Sequence, residues 1–239
     1  SARVDSSLLS VSRTMGLRLR WIARRTWRFF ETFVSAEDHA LAPDNFQEDP
    51  APVVAHRTSP TNLGLYLLSA IAARDFGWIG THETADRIAA AFETMEGLER
   101  FRGHFYNWYE TRDLRPLEPR YVSSVDSGNL AGHLVTLASA CRQMTGQPSV
   151  SGEWLAGIGD ALALTRESLH SGAEDRRTQT VTRKHLDEAL DTLAASLEAP
   201  PSTPQGVASR LAELAIHADT VSDIAHTLIA EQGAPDEVL

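Results

Sequence analysis

Ser59-Pro60-Thr61-Asn62-Leu63-Gly64-Leu65-Tyr66-Leu67-Leu68-Ser69-Ala70-Ile71-Ala72-Ala73 is the stretch on which the fold turns. Ser59 suits a helix N-cap, because its hydroxyl accepts from an orphan N–H of the first turn. Pro60 falls at the first helical position, where a missing N–H costs nothing. From Leu63 to Ala73 the helix is apolar nearly all round, which predicts burial on both sides. After Phe76-Gly77-Trp78-Ile79-Gly80 comes a different helix, with Thr81 placed to cap it. Ala85, Ile88, Ala89, Phe92 and Met95 recur there at three- and four-residue steps, while Glu83, Asp86, Arg87 and Glu93 face water. That helix covers and does not fill. The alternation then returns. Asp126 or Ser127 is placed to cap a helix whose Leu130, Ala131, Leu134, Val135, Leu137, Ala138 and Cys141 make a broad apolar surface.

Working outward, residues 15–34 set Leu19, Ile22, Ala23, Trp27, Phe30 and Phe33 on one side, with arginines opposite. Ala42-Pro43-Asp44-Asn45-Phe46-Gln47-Glu48-Asp49-Pro50 is too rich in breakers to continue a helix. Further helices are expected over 152–170, 182–198 and 205–232, separated by Gly172 and by Pro200-Pro201-Ser202-Thr203-Pro204. The sum is about seven helices with no convincing strand ladder. Buried helices alternating with covering ones predict an all-α fold of stacked αα-hairpins. Set in a ring, the buried helices would line a cavity and their entry loops its rim. Seven helices make an arc of such a ring, either a solenoid or part of a longer protein. The expected organisation is a tail over 1–14, hairpins with their loops over 15–144, and further helices of the same domain over 145–239.

The composition is that of a globular chain. With 239 residues, 42% apolar and 23% charged, collagen, wholesale disorder and a bare coiled coil are excluded. No stretch approaches the roughly 20 uninterrupted apolar residues of a membrane helix, so a soluble segment is expected. No export signal is visible, and the chain opens on Ser1. The single Cys141 excludes an internal disulfide framework and any multi-thiolate zinc site. Neither Gly-rich nucleotide cradle is present. Net charge is −10, but residues 1–34 hold seven arginines against Asp5 and Glu31. An acidic body repels phosphate backbones, so nucleic acid is not an expected partner. The basic start (Arg18, Arg20, Arg24, Arg25, Arg28) is either a solvated helix face or a contact for anionic lipid or an acidic neighbour.

Two loops carry the chemistry, each placed where the chain enters a buried helix. The first runs Asp44 to Pro50 and then Ala55-His56-Arg57-Thr58-Ser59-Pro60-Thr61-Asn62. The second runs Arg102-Gly103-His104-Phe105-Tyr106-Asn107-Trp108-Tyr109-Glu110-Thr111 and leads to Tyr121-Val122-Ser123-Ser124-Val125-Asp126-Ser127-Gly128-Asn129. Sugars are polyhydroxylated rings with apolar faces, gripped by aromatic platforms flanked by fixed donors and acceptors. Four aromatics within five residues, mixed with His104 and Asn107, fit that description. So does the alternative that Phe105 and Trp108 anchor hairpins. Asp126 is a helix cap or an acceptor for a sugar hydroxyl; Glu48 and Asp49 are solvated charges or ligands. His56 and His104 lack the paired spacing of a metal site. No in-chain carboxylate pair declares itself catalytic, since the separation that defines a glycosidase is not readable from sequence.

At these residues the chain resembles the cyclic β-1,2-glucan synthases. The resemblance is carried by Asp44 to Pro50, His56 to Asn62, Arg74-Asp75-Phe76-Gly77-Trp78-Ile79-Gly80, Gly103 to Tyr109 and Tyr121 to Gly132. It is dense over 20–144; beyond 145 the sequence is compatible. One departure is His39-Ala40-Leu41-Ala42, where the pattern leads one to expect an aromatic. The family consists of large bacterial inner-membrane enzymes with a glycosyltransferase region, a central region and a phosphorylase-like region. The resemblance implies that this chain opens the central region, where an (α/α)6 toroid closes linear β-1,2-glucan by retaining transglycosylation. It also implies a cytoplasmic setting and a carboxylate pair beyond residue 239. No cofactor is expected in this chain, UDP-glucose being the donor in another region. The implied partners are the β-1,2-glucan chain and the rest of the parent polypeptide. Asp44, Asn45, Gln47, Glu48, His56, Arg57, Asn62, His104, Tyr106, Asn107, Trp108 and Asp126 are the implied wall of the glucan groove.

Two other readings stay open. One is a non-catalytic helical module whose basic first helix contacts a neighbouring domain or a membrane surface. The other is a self-sufficient glycosidase with acid and base among Glu48, Asp49, Glu110, Asp113 and Asp126.

Overall fold

In the computed structural model, residues 11–147, 152–171, 182–198, 201 and 203–232 are described. Among them are seven helices: α1 (Arg13–Phe33), α2 (Pro60–Asp75), α3 (Thr81–Gly97), α4 (Ser124–Met144), α5 (Glu153–Ser171), α6 (Arg183–Ala195) and α7 (Pro204–Gln232). The mainly helical fold and the number of helices agree with the sequence. Two strong caps explain where the first and second helices start. The Ser12 and Ser59 hydroxyls accept from Met15 N–H and Asn62 N–H, and Pro60 occupies the first turn of α2.

The chain forms two compact units, Ser1–Trp154 and Leu155–Leu239. In the first, α2 is the central rod and packs against α1, α3 and α4. Leu63, Tyr66, Leu67, Ala70 and Ile71 of α2 are buried with Trp27 of α1, Ala91 and Met95 of α3, and Leu130 and Leu137 of α4. Gly64 lets α4 approach closely: a Cβ there would lie 2.1 Å from His133 Nδ1. In the second unit, α6 packs on α7, burying Leu186, Leu190 and Leu193 of α6 and Leu214 and Leu228 of α7. Thr182 and His185 close a capping box at the start of α6, and Arg166 of α5 pairs with Asp191 of α6.

Several local expectations are corrected. The N-cap of α3 is Gly80, without a side-chain bond, and Thr81 lies inside the helix. Its inward face is Thr84, Ile88, Ala91, Phe92, Met95 and the following Leu98, so Ile88, Phe92 and Met95 face inward as expected, while Ala85 and Ala89 are exposed. The cap of α4 is Ser123, whose hydroxyl accepts from Asp126 N–H, so neither Asp126 nor Ser127 is the cap. The arginines of α1 are not all opposite its docked face. Arg20 and Arg24 lie over the stacked rings of Phe76 and Trp78, at 5.0 and 5.8 Å, and Arg20 donates to the Phe76 carbonyl. These contacts turn Leu19 and Ile22 outward.

No strand ladder was expected, and the structure holds three short antiparallel ones. They join β1 (Phe46–Gln47) to β2 (Val53–Val54), β3 (Arg57–Thr58) to β6 (Tyr109–Glu110), and β4 (Arg100–Phe101) to β5 (His104–Phe105). At two residues a strand they amount to no substantial sheet. The β3–β6 pair nevertheless decides the site, because it ties the two polar loops together.

Candidate functional site

Arg57 pairs with Glu110 and Thr58 with Tyr109 across β3–β6, and Thr111 N–H donates to the His56 carbonyl, extending the ladder. Side chains alternate across such a ladder, so Arg57, Trp108 and Glu110 share one face. The other face belongs to His56, Thr58, Tyr109 and Thr111. On the first face the Arg57 guanidinium lies 4.7 Å from the centre of the Trp108 ring. It also grips Asp44 Oδ2 through Nη2 (2.8 Å) and Nε (3.1 Å). Asp44 accepts further from Asn62 Nδ2 (3.2 Å) and Asn45 Nδ2 (3.1 Å). One carboxylate thus organises three candidates around the mouth of α2.

A second network continues from Trp108. Its indole N–H donates to Asn107 Oδ1 at 2.8 Å, Tyr121 OH donates to the same oxygen at 2.8 Å, and Asn107 Nδ2 donates to Asp126 Oδ2 at 2.9 Å. This amide orientation is the one that satisfies the chemistry, since an indole can only donate and a carboxylate only accept. Asp126 also accepts from Thr61 Oγ1 (2.7 Å) and Ser123 Oγ (2.5 Å). Asp126 therefore ties the mouths of α2 and α4 together, through Thr61 and Ser123. Asp44, Asn45, Arg57, Asn62, Trp108 and Asp126 form one connected surface, linked between Trp108 and Asp126 by the buried Asn107.

The remaining candidates lie elsewhere. Gln47 and Glu48 are exposed at the end of β1, where Gln47 Nε2 reaches only the Ala51 carbonyl. His104 is exposed in β5 opposite Phe101. Tyr106 is half-buried, edge-on to Tyr109 at 6.4 Å and beneath Arg120. A cleft of about 570 Å³ among Val34, Ser35, Tyr66, Arg87 and Thr94 is lined by none of the twelve candidates.

His56 belongs to the inner face and to a hub missing from the sequence reading. Asp38, 5% exposed, accepts from Thr111 Oγ1 (2.5 Å) and Ser35 Oγ (3.2 Å) and bonds His56 Nδ1 (2.7 Å). Arg112 Nη2 lies 2.6 Å from His56 Nε2. A guanidinium can only donate, so Nε2 is the acceptor in that contact. Burial works to raise the Asp38 carboxyl. The bonds from Thr111, His56 and Ser35, with the charge His56 carries when protonated, outweigh it and hold the group below its usual range. Ser35-x-x-Asp38 was the sole local hint. Its partners are 18 and 73 residues away.

Over 218 residues, 90% of its length, the chain is 48% identical to the cyclic β-(1,2)-glucan synthase NdvB of Rhizobium meliloti (strain 1021). The resemblance to the cyclic β-1,2-glucan synthases holds. A match of that extent omits about a tenth of the chain and so takes in both loops. The chain spans 8% of the length of this cyclic β-(1,2)-glucan synthase, and corresponds to one segment of a much longer polypeptide. No protein-family model matches the chain. Among the described residues, no helix is long and apolar enough to cross a membrane, and no group of three or more His, Cys, Asp or Glu is placed to hold a metal.

Proposed function

We propose that this chain supplies one wall of a glucan groove in a cyclic β-1,2-glucan synthase. The groove would belong to the domain that closes linear β-1,2-glucan into a ring by retaining transglycosylation. The observation that carries the proposal is the β3–β6 ladder. It sets the Trp108 ring, the Arg57 guanidinium and the Asp44 and Asp126 networks on one continuous surface at the entrances of α2 and α4. An aromatic ring fixed by its own N–H bond, beside hydrogen-bonded Asn and Asp side chains, is the chemistry that binds a sugar ring face-on and reads its hydroxyls.

Ring closure needs the acceptor end of a long chain held near a glycosyl-enzyme intermediate, with water kept away. In this reading the surface binds and orients the glucan. The nucleophile and acid–base carboxylates lie in the part of the parent beyond residue 239, and polymerisation from UDP-glucose occurs in a separate region. α2 and α4 would be inner helices of an (α/α)6 toroid and α3 an outer one, in keeping with the buried character of α2. In the cell the parent would reside at the bacterial inner membrane with this region on the cytoplasmic side. Titration of the full chain with linear β-1,2-glucan tests the proposal. Trp108→Ala should weaken binding at least tenfold, the scale of losing about 1.5–3 kcal/mol of buried aromatic surface. Equal affinity in a folded variant would overturn the groove assignment. Hydrolysis of β-1,2-glucan by the purified chain would favour a self-sufficient glycosidase instead.

A second reading rests on α1, where Met15 is 51%, Leu19 51% and Ile22 59% exposed beside basic residues. In this reading, α1 docks on a neighbouring domain or a membrane surface. It predicts binding to anionic vesicles that weakens with salt.

A further inference from the structure

Glu110 carries a feature that the networks above leave unused. It shares the ladder face of Arg57 and Trp108, directly opposite Arg57. Arg57 is nonetheless committed to Asp44 and to the Trp108 ring. The Glu110 Oε1 atom is buried with no hydrogen-bond partner. Its backbone is fully used, the N–H donating to the Arg115 carbonyl and the C=O accepting from Leu114 N–H. A carboxylate oxygen sequestered without a donor costs folding free energy, and such groups persist where a water, an ion or a ligand supplies the missing partner or the group has a functional role. Asp44 and Asp126, the other carboxylates of this surface, have donors on both oxygens. Glu110 Oε1 is the carboxylate oxygen of this surface that no donor meets, and because it is enclosed a hydroxyl reaches it only when the side chain turns out beside Trp108.

Resting on the groove reading, we propose that Glu110 selects the glucan by accepting hydrogen bonds from the hydroxyls of a glucosyl unit seated on Trp108. In a β-1,2-linked chain, position 2 and the anomeric carbon are taken up by the linkages. The free vicinal pair on the ring edge is therefore the 3- and 4-hydroxyls. A carboxylate beside an aromatic platform accepts from two adjacent hydroxyls at once, whereas an amide at the same position offers one acceptor oxygen only.

Glu110→Gln keeps the shape and removes the second acceptor and the charge. In calorimetric titrations of the full chain with linear β-1,2-glucan it should weaken binding about tenfold or more, as for loss of a charge-assisted hydrogen bond. The same variant without glucan should melt about 2–4 °C higher, because an unpartnered buried charge has been removed. A purely structural role predicts the opposite sign in the melt. Trp108→Ala separates the two proposals. If Trp108→Ala loses affinity while Glu110→Gln binds like wild type, or melts lower, the Glu110 role is overturned and the groove stands. If wild type fails to bind linear β-1,2-glucan, both are overturned.

Discussion

Asp38 and Tyr109 hold the two loops from beneath, and each ties the stability of the site to pH. The Asp38 carboxyl is held below its usual range, against burial, by Thr111, His56 and Ser35. A carboxyl with a depressed folded value stabilises the protein fully above its unfolded value, near 3.9. That stability is lost as pH falls from there through the lower folded value. Asp38→Asn should therefore cost about 1–3 kcal/mol in urea unfolding at pH 7. It should also lose less stability than wild type between pH 5 and 3, so that the two curves converge in acid. Tyr109 behaves in the opposite sense. Burial pushes its hydroxyl up to about 12, with the bond from Tyr106 N–H and the charge of Arg100 working against the rise. Its stabilisation is whole below the unfolded value near 10 and disappears as pH climbs through about 12, a swing of roughly 2–3 kcal/mol. Tyr109→Phe gives up the bond to the Glu99 carbonyl and should be about 1 kcal/mol less stable at pH 7. Its unfolding free energy should stay flatter than wild type from pH 9 to 11.5, and an equal alkaline slope in both proteins would refute the assignment.

The close packing of α2 on α4 depends on Gly64. Alanine is about 1 kcal/mol better than glycine within a helix, so propensity alone would make Gly64→Ala stabilising. Here the new Cβ would meet His133 Nδ1 at 2.1 Å and His133 Cβ at 2.9 Å. The second contact involves the root of the side chain, so turning the ring does not relieve it. Overpacking costs about 1–3 kcal/mol and should win, lowering the melting temperature by several degrees. In a His133→Gly background, which removes that Cβ as well as the ring, the sign should reverse, and a double-mutant cycle measures the difference. The sequence shows some elements and hides others for physical reasons. Ser59-Pro60 announces α2 because capping is local chemistry. The start of α4 was misplaced because Ser123, Ser124, Asp126 and Ser127 can all cap, and only Thr61 and Asn107 decide that Asp126 turns to another task. Arg20 and Arg24 read as a polar face, since nothing local says that a guanidinium will cover Phe76 and Trp78. The β3–β6 ladder was invisible: two residues a strand carry no alternation to detect. Polar, aromatic loops pointed to most of the connected surface. The buried hub at Asp38 left no comparable trace.

Apolar side chains left in water govern the behaviour of the whole molecule. Leu65 on α2 is 47% exposed, and Val125 and Val135 on α4 are 69% and 73% exposed. α2 was expected to be buried on both sides and largely is, with Leu65 its exposed apolar side chain; α4 was expected to present a broad apolar surface and has one packed side and one bare one. The relative is far longer, with this chain spanning only 8% of it, and in the proposed reading the rest of such a polypeptide covers these faces. In the isolated chain, another copy is the nearest apolar surface. Self-association should therefore appear in sedimentation at rising concentration, opposed by the net charge of −10. Salt separates the causes. Screening weakens ion-pair contacts but relieves repulsion between acidic copies, so association through apolar faces should strengthen as salt is raised. Val125→Lys with Val135→Lys should shift the chain toward monomer and leave its melting temperature nearly unchanged, since neither side chain is packed. A wild-type chain that stays monodisperse at all concentrations and salts would show that these faces need no cover. The toroid proposal would then lose the argument that inner helices here await neighbours.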